Sequence, residues 1–109
     1  VDPVEAVKHF GTRIKKLHQK DLVKDSKNPV NMFDIVGKDT IIDQKLWVGT
    51  KCNDDFTEIG YGCMDIQSII DTANKIGSMD YIILEQDATK LNQLDSVKRS
   101  MEGFHKFGE

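Results

Sequence analysis

Apolar residues recur along this chain in distinct rhythms, and each rhythm predicts an element. Val4, Val7 and Phe10 form a short helical stripe. Asp2 can cap it, Pro3 suits the first helical position, Glu5 can reach back to the cap, and Gly11 supplies the stop. Arg13 to Asp21 alternates imperfectly, as a short strand would: Ile14, Lys16, His18 and Lys20 share one side, and Lys15, Leu17 and Gln19 the other. From Asp65, a capping residue, Ile66, Ile69, Ile70, Ala73 and Ile76 repeat at helical spacing until Gly77 ends the run. Tyr81-Ile82-Ile83-Leu84 is a continuous apolar run, expected of a parallel strand buried on both faces, and it stops abruptly at Glu85-Gln86-Asp87. Leu91, Leu94, Val97, Met101 and Phe104 predict a final amphipathic helix, whose stripe offers apolar surface that a full barrel would bury.

Between the two strands, residues 22–60 carry Pro29, Gly37, Gly49 and many Asp, Asn and Lys. Met32-Phe33, Ile35-Val36, Ile41-Ile42 and Leu46-Trp47-Val48 are its apolar pieces. A connection this long inside a compact domain is functional or holds small elements of its own, and a local hairpin is one such element. The order helix, strand, long loop, helix, strand, helix predicts parallel strands joined by right-handed crossovers, an α/β arrangement. Two parallel strands leave both outer edges open and do not make a stable sheet. The sequence is therefore expected to be part of something larger, completed by further strands of its own polypeptide or by another copy.

Composition narrows the class. The chain has 109 residues, 39% of them hydrophobic and 30% charged, which suits one small globular domain. No apolar run approaches the roughly 18 to 20 residues needed to cross a bilayer, so no membrane partner is expected. Lys and Arg number 15 against 18 Asp and Glu, a net charge of −3, which argues against a nucleic-acid partner. The one basic cluster, Arg13, Lys15, Lys16, Lys20, Lys24 and Lys27, is interleaved with Asp21 and Asp25 and reads as a solvated mixed-charge stretch. Cys52 and Cys63 form neither a disulfide framework nor a zinc pair, and reduced thiols in a cytoplasmic protein are expected. The chain opens on Val1 without the layout of a secretory leader, so a preceding stretch is expected to have been removed.

In α/β proteins ligands gather at the carboxyl ends of parallel strands, where an apolar strand turns polar. Here those places are His18-Gln19-Lys20-Asp21 and Glu85-Gln86-Asp87. An imidazole and a carboxylate at neighbouring strand ends can share a divalent metal such as Mn, Zn, Co or Mg. A carboxylate that terminates a buried apolar strand also needs a partner to offset its desolvation, which singles out Glu85. Gly60-Tyr61-Gly62 reads as a tight turn rather than a phosphate cradle.

Three stretches together resemble a known family: Arg13 to Asp21 with its His-x-Lys-Asp ending, Ile59-Gly60-Tyr61-Gly62-Cys63-Met64-Asp65, and Tyr81 to Asp87 with its strand ending in Glu. Across residues 2–107 they look like the last two βα units of the xylose-isomerase-like TIM barrels. That superfamily holds sugar and sugar-phosphate isomerases and epimerases, inosose dehydratases and endonuclease IV. The resemblance implies a partial (β/α)8 barrel, with residues 22–60 a long loop after its first strand. It implies that His18 and Glu85 are metal ligands and that Lys20 faces the substrate region beside Asp21. It implies further that Gly60 and Gly62 shape the turn before the next helix, and that Glu58 lies near the barrel mouth with the substrate.

The sequence also departs from the family. An acidic pair of ligands from earlier strands has no counterpart, because a whole barrel needs about 250 residues. Phe56, in Asp54-Asp55-Phe56, stands where the nuclease branch has a metal-binding His, which disfavours a DNA-repair nuclease. The expectation is the C-terminal part of a metal-dependent sugar or sugar-phosphate isomerase or epimerase, inactive as the isolated chain, with its catalytic carboxylates unassigned. A dehydratase of the same superfamily and a non-catalytic, self-associating α/β fragment are the alternatives. Partners implied are a sugar or sugar phosphate and either a homo-oligomer or a missing N-terminal segment.

Overall fold

A computed structural model describes residues 2–24, 36–44 and 55–107 of the chain. Within them lie helices α1 (Pro3–Phe10), α2 (Ile66–Ile76) and α3 (Gln93–Phe104) and strands β1 (Lys16–Gln19), β2 (Asp21–Leu22), β3 (Phe56–Thr57) and β4 (Tyr81–Leu84). A short 3-10 turn, Gly11–Arg13, links α1 to β1. The α/β order is the one expected.

Local chemistry sets the helix ends. The Asp2 carboxylate accepts from the amides of Val4 at 2.7 Å and Glu5 at 3.3 Å, and Gly11 closes α1 at φ 53°. Glu5 turns to Lys8, 2.7 Å away on the next turn, rather than back to the cap. Asp65 caps α2 through the Ser68 amide at 3.1 Å, and Gly77 ends it in the left-handed region at φ 72°.

β1 and β4 pair in parallel, with Lys16 opposite Tyr81 and Gln19 opposite Leu84. One face of this pair is covered. Leu17 packs with α1 and α2 around Val7, Ile69 and Ala73, and Ile82 and Leu84 pack around Ile59, Ile66 and Ile70. Each fully buried isoleucine here contributes about 1.5 to 3 kcal/mol. The other face is open: Tyr81 is 64% and Ile83 41% exposed, and Lys16 and His18 lie beside them. The expectation that β4 is buried on both faces is corrected, because α2 covers one face only.

The inward face of α3 is not its apolar stripe. The helix spans the expected residues, capped by Asn92, yet it turns Ser96, Ser100 and Gly103 inward and leaves Leu94 67% and Val97 60% exposed. The reason is what lies beneath. Residues 58–61 run along the helix with polar groups to satisfy: the Ile59 amide donates to Ser100 Oγ at 3.3 Å, and Ser96 Oγ donates to Glu58 at 3.0 Å. Gly103 meets the Ile59 carbonyl so closely that a Cβ would overlap it. Small and hydroxylated side chains fit that approach, and leucine or valine does not.

The long connection is gathered at its neck. β2 and β3 pair antiparallel, Asp21 opposite Thr57 and Leu22 opposite Phe56, and the Val23 amide donates to the Asp55 carbonyl at 2.9 Å. The apolar pieces Met32-Phe33 and Leu46-Trp47-Val48, Ile35 and any hairpin they form lie outside the described residues. Ile41, at 85%, and Ile42, at 47%, are exposed.

Candidate functional site

β1 and β4 run in the same direction, so their carboxyl ends lie side by side. His18 is the penultimate residue of one strand and Glu85 follows the other, and their side chains meet: His18 Nδ1 is 2.5 Å from Glu85 Oε2. Two residues further along each chain the pattern repeats. Lys20 Nζ reaches Asp87 Oδ2 at 2.7 Å and Glu85 Oε1 at 3.1 Å, and it stands 5.8 Å from the Phe56 ring centroid. This ladder is half-open to water, with the His18 side chain 60% exposed and that of Glu85 35%.

The ladder is electrostatically matched. The Lys20 hydrogen bond, then that of His18, holds the Glu85 carboxyl below its ordinary range against a smaller opposing effect of burial. Burial pulls the Lys20 ammonium down, but the hydrogen bonds to Asp87 and Glu85 outweigh it and raise it above its usual value. Both groups are therefore charged at neutral pH.

Asp21 and Glu58 are placed differently. Asp21 is 1% exposed, and its carboxylate accepts from four backbone amides. Oδ1 takes Leu22 at 2.9 Å and Met64 at 3.2 Å, and Oδ2 takes Gly60 at 2.9 Å and Gly62 at 3.0 Å. Asp21 thereby folds the Gly60-Tyr61-Gly62 turn around itself. Gly60 holds φ 83°, which favours glycine, and a Cβ on Gly62 would overlap Asp21 Oδ1 and the Leu22 carbonyl. Glu58 is 8% exposed and receives the hydroxyls of Thr89 at 2.6 Å and Ser96 at 3.0 Å on one oxygen. Burial pushes its carboxyl up, but these bonds and nearby Arg99 together hold it below the ordinary range.

Asp87, Thr89 and Ser96 were not singled out by sequence reasoning. Asp87 had a signal, the matched two-residue spacing of His18 with Lys20 and of Glu85 with Asp87. Thr89 and Ser96 had none, because their partner Glu58 is remote in sequence.

Comparison of the chain with protein families, with curated proteins and with solved structures gives no match. Among the described residues no group of three or more His, Cys, Asp and Glu side chains is gathered that could hold a metal ion. His18 and Glu85 are thus a two-donor set. Two donors on one transition-metal ion stand about 3 Å apart, so the pair has to open by about 0.5 Å to admit one, and the exposure of His18 permits that. The donor chemistry, a neutral imidazole with a carboxylate, suits Mn, Zn, Co or Mg as half of a site. Among the described residues no helix is long and apolar enough to cross a membrane.

Proposed function

We propose that this chain is the C-terminal portion, the last two βα units, of a (β/α)8-barrel sugar or sugar-phosphate isomerase or epimerase acting in the cytoplasm. His18 and Glu85 would hold part of its divalent metal site. The observation that carries the reading is their meeting at the same end of two adjacent parallel strands, 2.5 Å apart. Ligand sites in parallel α/β proteins form at that end.

A divalent metal held in part by His18 and Glu85 would supply Lewis-acid polarisation for a sugar carbonyl. The chain's own residues prepare for this. His18 offers an imidazole nitrogen, and Lys20 keeps Glu85 ionised and so able to act as a ligand. Lys20 lines the approach in this reading, while the buried Asp21 and Glu58 hold the residue 58–62 loop behind it. The carboxylates that move the substrate proton come from strands beyond this chain, so the isolated chain is inert on sugars.

Mn2+ titration followed by NMR tests the reading. Selective broadening of the His18 and Glu85 side-chain signals, lost in Glu85→Ala while the amide spectrum stays folded, is expected. Signals unmoved by Mn2+ overturn the metal site, and robust aldose–ketose interconversion by this chain alone overturns the incomplete barrel.

A second reading, a self-associating fragment without catalysis, is favoured by the exposed Leu91 just before α3 and Leu94, Val97 and Met101 on it. Val97 and Met101 border a cavity of about 310 Å³ that is also lined by Ile82 and Leu84 of β4. Light scattering tests this second reading: self-association at low micromolar concentration is expected, and a monomer removes it.

A further inference from the structure

Glu85 has its two oxygens divided between different partners, Oε2 with His18 Nδ1 at 2.5 Å and Oε1 with Lys20 Nζ at 3.1 Å. Lys20 is itself braced by Asp87 at 2.7 Å. The Lys20 side chain is 33% exposed and that of Asp87 18%, so the brace is more sheltered than the imidazole it serves. A carboxylate whose Oε1 is held by an ammonium cannot rotate freely, and Oε2 stays committed to the imidazole. An ionised carboxylate only accepts, so the proton in the short contact belongs to His18 Nδ1.

We propose that Lys20 is the positioning residue of this site: braced by Asp87, it fixes Glu85 in the orientation that places the His18 ring proton on Nδ1 and leaves Nε2 unprotonated. The proposal rests on the reading of His18 and Glu85 as the working pair and deepens it. Nε2 becomes the nitrogen with a lone pair for a cation or a substrate hydroxyl, while Glu85 orients the ring from behind, as outer partners of functional histidines do. A cation shared by both side chains has first to part them and either displace the Nδ1 proton or take Nε2 from a turned ring.

The test is NMR of the imidazole nitrogens of the full chain, read on the neutral-ring signals. The unsubstituted protein is expected to show His18 with the proton on Nδ1. In Lys20→Met the Nδ1-protonated fraction should fall at least several-fold in favour of the Nε2 form, with the amide signals of Leu17 and Ile82 unchanged. Lys20→Arg, which keeps the charge and can bridge both carboxylates, should restore it. An Nδ1 proton that persists in Lys20→Met, or an Nε2 proton in the unsubstituted chain, overturns the proposal. The Mn2+ broadening described above is read separately: if it is absent while Lys20→Met still shifts the tautomer, the metal reading fails and the positioning role stands.

Discussion

Asp21 and Glu85 lie close to the ends of adjacent parallel strands, yet they live in opposite worlds. Asp21 is 1% exposed and its partners are backbone amides, which have no freedom to leave. Glu85 is more open, and its partners are the ends of two flexible side chains, His18 and Lys20. The first arrangement shapes a turn. The second holds charge in a form that a ligand can exchange. Burial and the mobility of the partners change together here: fixed amides hold the buried carboxylate, and flexible side-chain ends hold the open one.

The largest effect expected from breaking this contrast is at Asp21. Asp21→Ala strips four buried amides of their acceptor and should cost about 3 to 5 kcal/mol, a large share of a small domain's stability. Urea denaturation followed by circular dichroism measures it. Gly62→Ala attacks the same knot from the other side, forcing a methyl against Asp21 and the Leu22 carbonyl, and should cost about 1 to 3 kcal/mol in the same assay.

Glu58 sharpens the comparison at an intermediate level. Glu58→Gln keeps the shape but weakens the bonds from Thr89 and Ser96, at about 1 kcal/mol. Because the folded-state carboxyl of Glu58 lies below its ordinary value of 4.5, its contribution is fully present above that value and is lost as the pH falls through the folded one. Urea unfolding at a series of pH values should therefore show a flatter acid limb in Glu58→Gln than in the parent chain. The smallest effect on stability is expected for Glu85→Ala, which leaves the denaturation midpoint within the scatter of exposed substitutions while removing His18's partner. A midpoint shift as large as that of Asp21→Ala would erase the contrast.

Much of this was legible in local sequence. Asp2, Gly11, Asp65 and Gly77 mark helix ends because caps act over three or four residues, and the alternation of Lys16 and His18 against Leu17 and Gln19 correctly separates the open from the covered face of β1. The parallel strands put His18 and Glu85 at one end, as their positions implied. What local pattern hid was long-range. The apolar stripe of α3 was legible, but not the helix's approach to residues 58–61, whose amides and carboxylate demand hydroxyls and a glycine on its inward face. Likewise Asp21 gave no sign that its acceptors would be claimed by amides some forty residues away.

The antiparallel neck formed by Asp21–Leu22 and Phe56–Thr57 makes the chain depart and return through one doorway, reinforced by the Cys63 amide on the Leu22 carbonyl at 2.8 Å. Whatever residues 24–54 do is thereby insulated from the register of the parallel strands. Doubling a closed loop costs only about 0.6 kcal/mol, so such a doorway tolerates large changes in what hangs from it. The protein thus has a natural cassette position beside its ladder of charges, where selection can rewrite a whole segment without resetting His18 against Glu85.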